Sequence, residues 1–68
     1  MDDNTINSLK EALKFSPGNI PLKKHLAETL LNASRLEEAE KEYKELLALT
    51  DTPEIKISLA NVFFLKGE

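Results

Sequence analysis

The feature that most constrains the fold of this chain is an internal repeat. The segment HLAETLLNASR (25–35) aligns without gaps with SLANVFFLKGE (58–68). The aligned pairs are Leu26 with Leu59, Ala27 with Ala60, Leu30 with Phe63, Leu31 with Phe64, and Ser34 with Gly67. The first segment starts at residue 25 and the second at residue 58, and we call this separation along the chain the repeat offset. Periods of about 20–50 residues are typical of repeat architectures, in which each unit buries its apolar face against the next. The repeat therefore predicts stacked, similar units instead of a plain four-helix bundle.

The units are predicted to be helical. Apolar residues recur at helical spacing between the few Pro and Gly residues, and no segment alternates as a strand would. The four expected helices cover residues 5–15, 20–33, 36–49 and 53–66. Short loops join them, so each helix should lie antiparallel to its neighbour. Asn19 and Thr52 are the expected N-caps of the second and fourth helices. Ser34 and Glu37 have the spacing of a capping box at the start of the third.

The third helix carries a run of charges. Glu37 with Lys41, and Glu40 with Lys44, are spaced i, i+4 in the favourable orientation. Because the signs alternate, the run indicates a solvated outer face and not an acidic binding patch.

Composition excludes several classes of function. The net charge is −3 and the pI is about 5.1, whereas nucleic-acid binding needs a basic stripe. No apolar run is long enough for a membrane span, and the first residues do not resemble a signal peptide. The chain has no Cys and a single His, His25, so we expect no metal site and no cofactor. We expect His25 at the surface, no enzymatic activity and a cytoplasmic location.

The chain resembles the tetratricopeptide repeat family, whose pattern is W-x2-L-G-x2-Y, then A-x3-F, then P. The matching residues are Leu26, Ala27, Leu30, Ala39 and Tyr43. Lys23 stands at the Trp position, and Asp51 stands where the terminal proline falls. Upstream, LKEALKFSPGN looks like the second half of a preceding repeat that ends in its proline, Pro17.

This resemblance implies a short right-handed α-solenoid and a division into three parts. Residues 5–19 would be the second half of one repeat, 20–52 a full repeat, and 53–68 the first helix of another. In such arrays the first helices line a concave groove that binds peptides or proteins. We therefore expect a non-catalytic protein-interaction module. The groove candidates, spaced i, i+4, i+7 on their helices, are Lys24, Glu28, Leu31, Ile57, Asn61 and Phe64.

Some members of the family clamp a peptide carboxylate with a Lys and an Asn spaced i, i+4. Here Lys24 is followed by Glu28, which would repel a carboxylate, and Asn61 is preceded by Ile57 instead of a Lys. Neither helix carries the pair, so we do not expect a receptor for C-terminal carboxylates.

Two other hypotheses remain. The last helix is apolar on nearly every side, which predicts an edge that a missing half-repeat or another copy covers, with a homodimer formed through the C-terminal helix. The expected contact residues are Leu59, Val62, Phe63 and Phe64. The N-terminal stretch also looks similar to repeat segments that precede ATPase domains of the AAA class, so the chain would then be an adaptor segment.

Overall fold

A computed structural model describes residues 3–67 and shows an all-α fold. The helices are α1 (Asp3–Phe15), α2 (Ile20–Asn32), α3 (Leu36–Leu49) and α4 (Pro53–Lys66). Within the described range the chain contains no strand. The predicted fold class is confirmed, and the helix limits lie close to the expected ones, with the largest difference at the start of α1.

Consecutive helices pack against each other, so the described chain forms a row of helices. α2 contacts both α1 and α3, and α3 contacts both α2 and α4. The core consists of buried residues that come from all four helices: Ile6, Leu26, Ala27, Leu30, Ala39, Tyr43, Leu46, Ile55 and Val62. Each inner helix packs on both sides, as expected of a helical repeat.

Two helix starts carry the predicted caps. The Asn19 side chain accepts a hydrogen bond from the backbone N–H of Leu22 at 3.1 Å. The Thr52 hydroxyl accepts one from the N–H of Ile55 at 3.5 Å. Asn19 and Thr52 are separated by the repeat offset, so the two caps are structurally equivalent.

The capping box predicted at Ser34 and Glu37 is wrong. Ser34 adopts a left-handed backbone conformation with φ 62°, which is incompatible with the extended geometry of an N-cap. It instead ends α2 in a Schellman motif, in which Ser34 N–H bonds to the Leu31 carbonyl and Arg35 N–H to the Leu30 carbonyl. Arg35 is the N-cap of α3 and makes no side-chain capping bond. Gly67, the repeat equivalent of Ser34, ends α4 with φ 84° and is also left-handed.

Candidate functional site

The surface shared by α2 and α4 is the main candidate for a binding site. The Lys24 ammonium on α2 lies 2.5 Å from the Glu54 carboxylate on α4, so this ion pair links the two helices. Tyr43 of α3 is buried, and Ser58, Glu28, Lys24 and Glu54 all act on its phenol. We call this region, formed by Lys24, Glu28, Glu54 and Ser58 around Tyr43, the α2/α4 surface.

The charges at this surface interact with one another. The hydrogen bond with Glu54 raises the pKa of Lys24, and the charges of Glu54 and Glu28 act in the same direction. Burial raises the pKa of Tyr43, although the hydrogen bond with Ser58 opposes that shift. Lys24 is thus already paired with a carboxylate of its own chain.

The predicted groove residues differ in their accessibility. Glu28 and Asn61 are exposed, and Lys24 and Leu31 are half-buried. Leu31 also packs against the core. The structure joins Lys24 with Glu54, a residue that the sequence analysis did not include. Glu54 follows a proline in the first turn of α4, where an acidic residue is readily explained by the helix dipole alone.

Large apolar side chains of α4 are exposed to solvent. The exposed fractions of Ile57 and Phe64, two predicted groove residues, are 64% and 79%. Leu65, which the sequence analysis did not single out, is exposed to 57%. Single exposed apolar residues are common, but three on the helix that contributes Glu54 and Ser58 to the α2/α4 surface form apolar area available to a partner.

The face of α4 predicted for self-association is only partly available. Val62 is fully buried in the core, so the prediction that it contacts a second copy is wrong. Its side chain packs inward together with Ile55, which lies two helical turns earlier on the same face. Leu59 and Phe63 are half-buried, and the Lys44 ammonium lies 5.8 Å from the centroid of the Phe63 ring.

Lys23 forms the most buried ion pair described. Only 9% of the residue is exposed, and its ammonium lies 2.7 Å from Glu42 and 2.6 Å from Glu45 on α3. Desolvation by burial lowers the pKa of Lys23, but hydrogen bonds with the two glutamates raise it, and the net shift is upward. In the repeat pattern Lys23 is notable only as a departure at the Trp position. Glu42 and Glu45 lie three residues apart and so share a face of α3, but this spacing does not show which lysine they pair with.

Two carboxylates of α3 tie the outer helices to it. Glu38 binds Lys10 of α1 at 3.0 Å and Arg35 at 2.6 Å, and these hydrogen bonds lower the pKa of Glu38. Glu40 binds Lys44 at 2.7 Å and Lys66 of α4 at 2.5 Å, and its pKa is lowered for the same reason. The run of charges on α3 is therefore more than a solvated outer face.

Two shallow depressions lie away from the α2/α4 surface. One, of about 480 Å³, is lined by Glu37, Glu40, Lys41, Lys44 and Lys66. The other, of about 390 Å³, is lined in part by Lys10, Lys23 and Glu42. Both overlie the interhelical ion pairs, so their charged walls are accounted for by helix packing. Within residues 3–67 no group of three or more His, Asp or Glu side chains is placed to hold a metal ion.

Comparison with known proteins agrees with the fold and the repeat. The family model described as "Tetratricopeptide repeat" matches residues 3–62. No curated protein and no solved structure matches the chain significantly. In the described part of the chain, no helix is both long and apolar enough to cross a bilayer. Repeats of this family generally mediate protein–protein interactions and typically lack catalytic activity. With the match covering most of its length, the chain belongs to the tetratricopeptide repeat family.

Proposed function

We propose that this chain is a non-catalytic interaction module that binds a peptide or protein segment on the α2/α4 surface. The observation that carries the proposal is the exposure of Ile57 and Phe64 on α4, the helix whose Glu54 pairs with Lys24 of α2. Apolar side chains held in water by a packed helix gain free energy when a partner covers them, at about 25 cal/mol per Å². The neighbouring polar groups would then orient the partner.

The charges of the surface suggest the chemistry of the bound segment. Lys24 is paired with Glu54, whereas Glu28 is exposed beside them. An extra carboxylate from the partner would meet two acids and one paired lysine, which is unfavourable. We infer a segment that presents apolar side chains to Ile57 and Phe64 and a basic or hydrogen-bond-donating group to Glu28. This inference agrees with the absence of the Lys-Asn pair used to clamp carboxylates.

The test selects binders from a random peptide library and maps the contacts. For a selected peptide, we expect NMR amide shifts on α2 and α4, centred on Glu28, Asn61 and Phe64. Phe64→Ser should weaken binding at least about tenfold, because it removes a large exposed apolar contact. Ala48→Ser on the exposed side of α3 is the control and should leave binding unchanged. Shifts confined to α1 and the outer side of α3 would contradict the proposal.

A second candidate function is self-association through α4. The half-buried Leu59 and Phe63 and the exposed Phe64 support it.

A further inference from the structure

α4 has a face that remains uncovered although the equivalent face of α2 is fully packed. On α2 this face consists of Lys23, Leu26, Ala27 and Leu30, all of them buried. Their equivalents on α4, one repeat offset later, are Lys56, Leu59, Ala60 and Phe63. Lys56 and Ala60 are exposed, and the other two are half-buried. We call these four residues the open face of α4. The difference follows from packing, because Lys23 on this face of α2 pairs with Glu42 and Glu45 of α3, whereas in residues 3–67 no helix follows α4 to pack in the same way.

α1 has an exposed face that corresponds to the face that α3 packs against α2. α1 ends at Phe15 and α3 at Leu49, and the two helices can be aligned by these last residues. Thr5, Leu9 and Ala12 then correspond to Ala39, Tyr43 and Leu46, which are the buried residues of α3. Thr5 and Ala12 are exposed, and Leu9 is half-buried. We call Thr5, Leu9 and Ala12 the open face of α1.

The two open faces also match in charge. In the packed pair of helices, Lys23 of α2 binds Glu45 of α3 at 2.6 Å. Lys56 is the equivalent of Lys23, and Glu11 is the equivalent of Glu45 in the same alignment of α1 with α3. The side chains of Lys56 and Glu11 are 63% and 64% exposed, and each is paired with a neighbour in its own segment, at 3.3 and 3.4 Å. A helix pair that joined α4 to α1 would bring these opposite charges together, as in the α2–α3 pair.

We propose that copies of this chain associate head to tail, with the open face of α4 in one copy packed against the open face of α1 in the next. The contact would reproduce the packing of α2 on α3, including an ion pair between Lys56 and Glu11. This proposal rests on the second candidate function and not on peptide binding at the α2/α4 surface. The contact uses two different faces, so each pair of copies keeps one open face at each end. The assembly therefore grows beyond a dimer or closes into a ring.

The test measures molar mass by sedimentation equilibrium for the parent chain and for two variants. Ala60→Glu places a charge in the open face of α4, and Ala12→Glu does so in that of α1. Both positions are exposed and helical, so the variants should keep the helix content of the parent. We expect the mass of the parent to rise with concentration beyond that of a dimer. Each variant should lower the association constant at least about tenfold, because a buried unpaired charge is costly.

Mixing the two variants gives the decisive result. Ala12→Glu retains an intact α4 face and Ala60→Glu an intact α1 face, so an equimolar mixture should form a one-to-one dimer and nothing larger. Recovery in the mixture also shows that both variants are folded. Ala48→Glu, on the exposed side of α3, is the matched control and should associate like the parent.

Several outcomes would overturn the proposal. A parent chain that stays monomeric at millimolar concentration would do so. If Ala12→Glu associates like the parent while Ala60→Glu does not, the contact pairs α4 with α4, and self-association stands without the head-to-tail arrangement.

A charge exchange tests the register separately. Lys56→Glu should weaken association, and adding Glu11→Lys in the same chain should restore it; a double variant no better than the single one would show that the register is wrong.

Discussion

α2 and α4 have the same local design but different surroundings. Both begin after a side-chain cap, at Asn19 and Thr52, and both are followed by a residue with positive φ, Ser34 and Gly67. Yet Ala27 is fully buried, whereas its equivalent Ala60 is exposed. The difference arises because α2 is packed on two sides by α1 and α3, while in the described chain α3 supplies most of the packing against α4. The comparison shows that a repeat pattern determines where an apolar face lies, and the neighbouring helix determines whether it is buried.

The largest expected effect comes from replacing the apolar residues at equivalent positions of α2 and α4. Leu30→Ala should lower the free energy of unfolding by about 3 kcal/mol, because Leu30 is fully buried and leaves a cavity. Phe63→Ala, at the equivalent half-buried position, should cost only about 1 kcal/mol despite removing more atoms. Urea denaturation followed by circular dichroism, at a concentration where the chain is monomeric, measures both. Equal losses would mean that the two faces are equally buried.

The second test compares two lysines at equivalent positions. Lys23→Met should cost about 2 kcal/mol, because it leaves Glu42, which is largely buried, without its cation. Lys56→Met should change stability by less than about 0.5 kcal/mol, since its pair with Asp51 is exposed. Urea denaturation at neutral pH measures the difference. A costly Lys56→Met would contradict the comparison.

The raised pKa of Lys23 also has a pH signature. Because the folded-state pKa lies above the unfolded value, the stabilisation is complete below about pH 10.4 and is lost as the pH rises through the folded-state pKa. The parent should therefore lose stability above about pH 10 more steeply than Lys23→Met. If the free energy of unfolding falls equally steeply with pH in both proteins, Lys23 does not carry the effect.

The third test uses the two left-handed residues that end α2 and α4. Ser34→Gly should raise the free energy of unfolding by about 0.5–1 kcal/mol, because glycine adopts positive φ without steric cost. Gly67→Ser should lower it, with the loss limited to fraying of the last turn of α4. Ala48→Gly in the helical part of α3 is the control and should be destabilising. Thermal unfolding measures all three; destabilisation by Ser34→Gly would contradict the role assigned to its backbone.

The smallest expected effect concerns Glu38, which ties α1 to α3 through its ion pair with Lys10. The hydrogen bonds with Lys10 and Arg35 lower the pKa of Glu38, so its stabilisation is present above the unfolded value of about 4.3 and is lost as the pH falls through the folded-state pKa. Glu38→Gln should flatten the decline in stability below about pH 4.3. The exposed Glu37→Gln on the same helix is the control for charge. An unchanged acid profile for Glu38→Gln would show that the pair is not stabilising.

Local rules predicted the helices and failed at one loop. The starts of α2, α3 and α4 agree with the expected ones, and for α2 and α4 the reason is that the caps and prolines act within a single turn. Ser34 was expected to begin α3 and instead ends α2. Serine is a frequent N-cap, but here the preceding helix uses the same residue to satisfy its last carbonyls. The repeat pairing of Ser34 with Gly67 was the better guide, because a residue aligned with a terminal glycine is expected at a helix end.

The sequence alone determined the helices, their order, the repeat offset and the apolar faces, because these depend on spacing within a few turns. The tertiary structure decided which of those faces is covered. It buried Val62 and left Phe64 exposed on the same helix. It also paired Lys24 with Glu54 and Lys23 with Glu42, which lie on different helices and far apart in the chain. Contacts of this kind depend on how whole helices pack, and no spacing within a single helix specifies them.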